Sequence, residues 1–326
     1  MAQPSAIPAA GAYTHAGASH RAGYLAAIGT VAIWTGFILI SRLGGKSALT
    51  GFDILALRLG TAALLLFLFA ARLPAEAWAN KRLWILAAIG GVGFGVLAYS
   101  GFKSVPAAHG AILIPGLQPF LAAVLSWWLA GEKPSAPRMA GYACIAAGVS
   151  LVAVPILSGN SANWSPAMLA GDGLVFAASL TWAVFGMLAK RWGFEPWLLT
   201  RFIAIGSAIL YLPVYVLFLP KALDAVPWST LVVQALYQGI GPAILAMVLY
   251  LRAVSILGPS RVAALIALVP VLAGLLAVPL LDEPLTVWLA AGLLSVSLGA
   301  FLASRPLPAA SAPAAGSVPL PSRARA

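Results

Sequence analysis

The chain has 326 residues, of which 62% are hydrophobic and 8% charged, too little polar surface to cover a water-soluble globule of that length. The formal charge of +11 does not point to nucleic acid, because the Lys and Arg residues are scattered between apolar runs instead of forming a basic face. A single cysteine, Cys144, excludes an intramolecular disulfide framework and sits in an apolar stretch that suits small-residue packing.

In chain order, residues 1–21 are rich in Ala, Pro, Ser and Gly and too poor in bulky apolar groups to offset the entropy of ordering, so a disordered cytoplasmic tail is expected. Apolar runs of about 20 residues, the length that crosses a bilayer core as helix, follow at roughly 22–41, 52–71, 83–102, 108–130, 139–158, 168–190, 198–219, 229–251, 261–281 and 285–303. The connections are short and carry charges, Gly and Pro, as in SGNSANWSP at 158–166. The N-terminus lacks the short apolar core of a cleavable signal peptide, so the first run reads as a retained span. Residues 305–326 repeat the composition of the first tail. The expected class is an all-α integral membrane protein with ten transmembrane helices.

Lys and Arg orient these spans, because cytoplasmic segments carry the excess. With the N-terminus inside, the inner segments hold Arg21, Arg72, Lys81, Arg82, Lys133, Arg138, Lys190, Arg191, Arg252, Arg261, Arg305, Arg323 and Arg325. The outer ones hold Arg42, Lys46, Lys103 and Lys221, while Arg58 and Arg201 fall inside spans. Both termini are therefore expected in the cytoplasm.

Sliding the sequence by 151 residues aligns Tyr99 with Tyr250, Ser104 with Ser255, Pro119 with Pro270, Glu132 with Glu283, Gly141 with Gly292 and Gly148 with Gly299, without a gap. Earlier in each half, a cation follows a Trp by eight residues, Arg42 after Trp34 and Lys190 after Trp182. The pattern reads as a five-helix unit written twice, over 22–158 and 168–304. Five is odd, so the second copy enters the membrane from the other side and the halves are expected to be inverted repeats. That is the architecture of alternating access.

With Tyr99 and Tyr250 on the third helix of each unit, Pro119 and Pro270 within the fourth, Glu132 and Glu283 closing it, and the glycine pairs on the fifth, the chain resembles the drug/metabolite transporter superfamily. Within it, the likeness is to the bacterial EamA-type exporters. It covers residues 22–304 and implies an inner-membrane transporter whose third, fourth, eighth and ninth helices line a central cavity. Relatives export amino acids and other small metabolites.

Polar groups inside the spans are the candidates for a lining, since an unsatisfied polar group in hydrocarbon is costly. They are Arg58, His109, Gln118, Gln234 and Gln238, joined by the repeat-matched aromatics Trp34 and Trp182 and Tyr99 and Tyr250. Gln234 and Gln238 are four apart and share a helical face. Each polar group has an alternative reading as a bond to a neighbouring helix, and Arg58 either snorkels outward or pairs with a carboxylate. Pro115, Pro119 and Pro270 are expected to kink their helices near mid-membrane, around a cavity or as packed structural kinks. Glu132 and Glu283 read as boundary markers in preference to proton carriers.

GGVGFG at 90–95 lies in an apolar span with no flanking strand, which excludes a dinucleotide turn, and no cofactor is expected. A membrane enzyme is disfavoured, because no metal-ligand cluster, serine elbow or second acid near His109 stands out. A channel would need a continuous polar lining. The expected partners are the bilayer and a small solute, most simply an amino acid or similar zwitterion, exported through the plasma membrane. The oligomeric state is left open. The alternative is a multidrug cation pump, for which Asp172 is the partial candidate for a buried carboxylate.

Overall fold

The structure is a computed structural model that describes residues 20–69, 73–131, 135–157 and 165–305. The expected disordered tails, from residue 19 back and from 306 on, and the role expected of Glu132 lie outside those residues. Helices α1 (His20–Lys46), α2 (Gly51–Phe69), α3 (Lys81–Gly101), α4 (Ala107–Leu129), α5 (Ala136–Leu157), α6 (Pro166–Trp192), α7 (Pro196–Phe218), α8 (Trp228–Leu257), α9 (Pro259–Leu281) and α10 (Val287–Ser304) follow the expected runs in order. Among the described residues nine helices are long and apolar enough to cross a membrane. The other, α5, is a helix of 22 residues. Bulky apolar side chains stand exposed on the outside, Trp128 at 79% and Phe218 at 77%, which places that surface in lipid rather than water.

The first helix runs past its expected end and takes in Arg42, Gly44, Gly45 and Lys46. The glycines let this added turn pack closely, because a Cβ on Gly45 would collide with the Phe102 backbone and one on Gly44 with the Gln234 amide. Arg42, expected in a connection, thus becomes a helical residue facing its neighbours.

Breaks recur at the 151-residue offset. The third span has a π-helical stretch at Ala87–Gly93 and the eighth has one at Gly241–Leu245, the kind of local rewinding found at functional sites. The fourth span is π-helical at Ile112–Gly116 around Pro115 and resumes at Gln118 with Pro119 in its first turn. The ninth breaks at 267–268 and resumes at Val269 with Pro270 in the same position. A proline is best tolerated in a first turn, where its missing N–H has no partner to lose. Both spans end on a left-handed residue, Gly131 (φ 68°) and Asp282 (φ 53°).

Packing between α5 and α10 depends on four glycines. A Cβ on Gly141 would stand 2.7 Å from the Gly299 carbonyl oxygen, and one on Gly148 would stand 2.8 Å from that of Gly292. Small residues allow this backbone-to-backbone approach. The sequence partners of 141 and 148 are 292 and 299, so the contacts are crossed and the helices run antiparallel.

Candidate functional site

A cavity of about 680 Å³ lies inside the helical bundle, within the range of small-molecule sites. Two aromatic groups form much of its wall. Trp34 and Tyr250 pack with ring centroids 5.8 Å apart, and Trp182 packs on Phe94 at 5.0 Å. Arg58, Gln118, Pro115 and Pro119 complete the deeper part, and Ser135, Arg138, Lys190 and Ser304 line it at helix ends. Gly171, near the start of α6, packs against Gly101 and Ser104. Lys190 is 19 residues further along the same helix, about 28 Å at 1.5 Å per residue. The cavity therefore reaches the face that carries Lys190, far from the face that carries Ser104.

The expected lining residues divide into two layers. Trp34, Arg58, Gln118, Trp182 and Tyr250 are half-buried on the wall, whereas Tyr99, His109, Gln234 and Gln238 are buried behind it. Arg58 neither snorkels nor meets a carboxylate. Its Nη1 donates to the Tyr99 hydroxyl at 2.9 Å and its guanidinium lies 5.6 Å from the centre of the Phe37 ring. Tyr99 in turn donates to Gln238 Oε1 at 3.2 Å, and Gln238 Nε2 donates to Ser41 Oγ at 3.1 Å. This relay fixes the guanidinium at the cavity. Gln234 donates to the Ile40 carbonyl at 2.8 Å, so both glutamines tie α8 to α1. Gln118 stands on the wall while its Nε2 donates to the Ser179 carbonyl and hydroxyl, each at 2.9 Å. Pro270 is buried off the wall. Arg201, aligned in sequence with Arg58, is 9% exposed and lies over the Trp197 ring at 5.9 Å.

No acid was expected near His109, yet its Nδ1 lies 2.9 Å from Asp172 Oδ1. The two are 63 residues apart, and only the docking of α6 on the fourth span brings them together.

The opposite end is closed by polar contacts that sequence reasoning did not assemble. The left-handed turn at Asp282 swings Glu283 to Arg42, with Nε donating to Oε1 at 2.6 Å. The other carboxylate oxygen accepts from the Ala107 amide at 2.7 Å, where the positive end of α4 favours an anion. Arg42 Nη1 reaches the Phe102 and Lys103 carbonyls at 2.9 and 3.2 Å, and Lys46 donates to the Leu281 carbonyl. Lys103 donates to the Ser47 and Leu49 carbonyls at 2.8 and 2.7 Å. Burial, and then the neighbouring Arg42, hold Lys103 below the usual lysine range, with Asp53 opposing.

Asp53 itself is fully buried. Its Oδ2 accepts from the Thr50 amide and hydroxyl and from the Ala222 amide, and its Oδ1 accepts from the Tyr215 hydroxyl at 2.6 Å. The carboxylate thereby clamps the start of α2 to the end of α7. The sequence signal for the ion pair was the repeat itself, which marks both Arg42 and Glu283. The clamp left no comparable trace.

A helical bundle with bulky apolar groups facing lipid and a solute-sized cavity closed at one end belongs to the class of multi-pass membrane transport proteins. The sequence profile of the EamA-like transporter family matches residues 21–154 and again 169–305, and the chain belongs to that family. The two matches establish its two-repeat architecture, and the family is one of membrane transporters, not of enzymes. A protein of Bacillus subtilis (strain 168) named "Uncharacterized transporter YyaM" is 26% identical over 227 residues, 68% of this chain and 72% of that one. A solved crystal structure shares the fold with a TM-score of 0.61 at 20% identity, over 87% of this chain and 99% of that one.

Proposed function

We propose that the protein is a secondary transporter of the bacterial inner membrane that exports a small carboxylate-bearing metabolite, amino acids and similar zwitterions being one such group, by alternating access. The carrying observation is the cavity, which reaches one face while Arg42, Glu283 and Lys103 close the other. Positive-inside charge assigns the reached face, with Arg138 and Lys190, to the cytoplasm, and puts both termini there. The conformation is then inward-facing.

Inversion of the repeats is supported by the antiparallel seam of α5 and α10 and its crossed glycine contacts. Sequence-matched residues also occupy unlike places: Tyr250 stands on the wall while Tyr99 is buried behind Arg58. Two like halves in unlike conformations are what one state of such a cycle requires, since exchanging their conformations would turn the opening to the other face. Cation efflux, the second reading, is disfavoured because the charged residues on the described wall are Arg58, Arg138 and Lys190.

The test is efflux from proteoliposomes carrying a panel of labelled amino acids and related acids, with and without a pH gradient. Movement of at least one solute, reduced when Arg58 is replaced, is expected. A panel in which nothing moves, despite folded protein in the bilayer, refutes the reading.

A further inference from the structure

We propose that the solute binds as a net anion, an organic acid with an apolar or aromatic body, in preference to a zwitterion or a cation. This inference rests on the transport reading above and narrows its substrate class.

Three ionisable groups with fixed charge line the cavity, Arg58, Arg138 and Lys190, and all three are cations. Among the described lining residues there is no Asp or Glu. Arg58 uses one N–H on Tyr99 and its face on Phe37, which leaves most of its five donors for a ligand. At the mouth, Arg138 Nε and Ser135 Oγ are buried without a hydrogen-bond partner. Buried donors left unmade are uncommon and costly. These two are close in sequence and line the same cavity, where Lys190 joins them from α6.

A carboxylate or other oxyanion offers acceptors to the Arg58, Arg138 and Lys190 cations. The ammonium of an amino acid gains none of them. It would enter a wall of like charge with no acid among the described lining residues to meet it, so its charge is a penalty in a weakly screened site. Topology alone accounts for a lysine at the inner end of α6, since inner segments collect cations. It does not account for Arg58, seven residues inside its helix, or for a buried Nε with no partner. Trp34, Phe94, Trp182 and Tyr250 supply the apolar surface that an acid with a ring would cover. The mouth cations thus draw the anion in, and the deeper guanidinium receives it beside the rings.

The experiment compares three probes with one body: 3-phenylpropanoate, phenylalanine and 2-phenylethylamine, carrying net charges of about −1, 0 and +1 at neutral pH. Full-length protein is used, with binding read from quenching of tryptophan fluorescence and movement from proteoliposomes. Affinity is expected to fall in that order, with the acid favoured over the amino acid on the order of tenfold, the effect of one charge-assisted hydrogen bond. Arg58→Gln should erase the order and Arg58→Lys should keep it. Arg138→Gln should lower the ratio of acid to amino acid on the order of tenfold, a change that a merely structural arginine would not make.

Phenylalanine binding as tightly as the acid, or more tightly, overturns the net-anion inference and leaves metabolite export standing. Movement of 2-phenylethylamine alone overturns both and establishes cation efflux. Silence with all three probes rejects the aromatic acid, and silence across the wider panel as well rejects the transport reading.

Discussion

Arg42 Nε lies 2.6 Å from Glu283 Oε1, joining the first helix to the turn after the ninth across 241 residues of sequence. Both side chains are mostly buried, at 15% and 10% exposure. Removing one member of such a pair leaves an uncompensated charge, which costs about 3 kcal/mol. Arg42→Met is therefore expected to loosen this end of the bundle. Maleimide labelling of a Ser41→Cys reporter, in a Cys144→Ser background, should accelerate from the outer face. Glu283→Gln, which keeps an acceptor for the Ala107 amide, should have the smaller effect. Unchanged labelling in Arg42→Met would show that the ion pair does not hold the closed end.

Asp53 holds four hydrogen-bond donors through two oxygens. Asparagine offers one acceptor oxygen in place of two, so Asp53→Asn strands either Tyr215 or the Thr50 and Ala222 donors. A loss of about 2 kcal/mol is expected. It should appear as a lowered midpoint in thermal unfolding of the detergent-solubilised protein. Adding Tyr215→Phe to Asp53→Asn should cost less than the sum of the two single changes, because they share one bond.

The glycine seam between α5 and α10 makes a stricter demand. At Gly148 two of the three nearest obstacles to a side chain are backbone atoms, the Gly292 carbonyl oxygen at 2.8 Å and the Val296 nitrogen at 2.9 Å, beside Val296 Cγ1 at 2.8 Å, and backbone cannot rotate away. Gly148→Val is expected to reach or exceed the upper end of the roughly 1–3 kcal/mol typical of overpacking. Gly173→Ala is the control, since nothing lies within 4 Å of its Cβ position. It should be neutral or slightly stabilising, as alanine is the better helix former.

On the wall, Gln118→Ala and Tyr250→Ala should lower flux without loss of expression. Tyr99→Ala should do so at one remove, by releasing the Arg58 guanidinium from its 2.9 Å bond. The discriminating readout is Arg58→Gln combined with Tyr99→Ala. A residue acting through Arg58 adds no further loss to that background. Normal flux in all three single variants would place the path elsewhere.

Much of the architecture was legible in the sequence because membrane helices announce themselves by length, and because Tyr99 and Tyr250, or Pro119 and Pro270, are hard to match by chance at one offset. The site was legible in part. Helical spacing placed Gln234 and Gln238 on one face, and they do share it, but spacing cannot say whether that face meets a cavity or the backbone of α1. Burial decides that, and burial is a property of the neighbour. Composition likewise marked Arg58 as exceptional without revealing Tyr99 as its partner, 41 residues on. The closing contacts of Arg42 and Asp53 depend on loops folding back over helix ends. No local pattern records such folding, nor the docking of α6 on the fourth span that sets Asp172 beside His109.

Along the α5–α10 seam, the contact of 141 with 299 becomes that of 292 with 148 when the two halves trade places. In the transport cycle proposed above, such a trade returns this line of glycine contacts to itself. The seam can then stay still, like the spine of a book, while the covers swing; stiffness there and mobility at the ion-paired end are two sides of one arrangement.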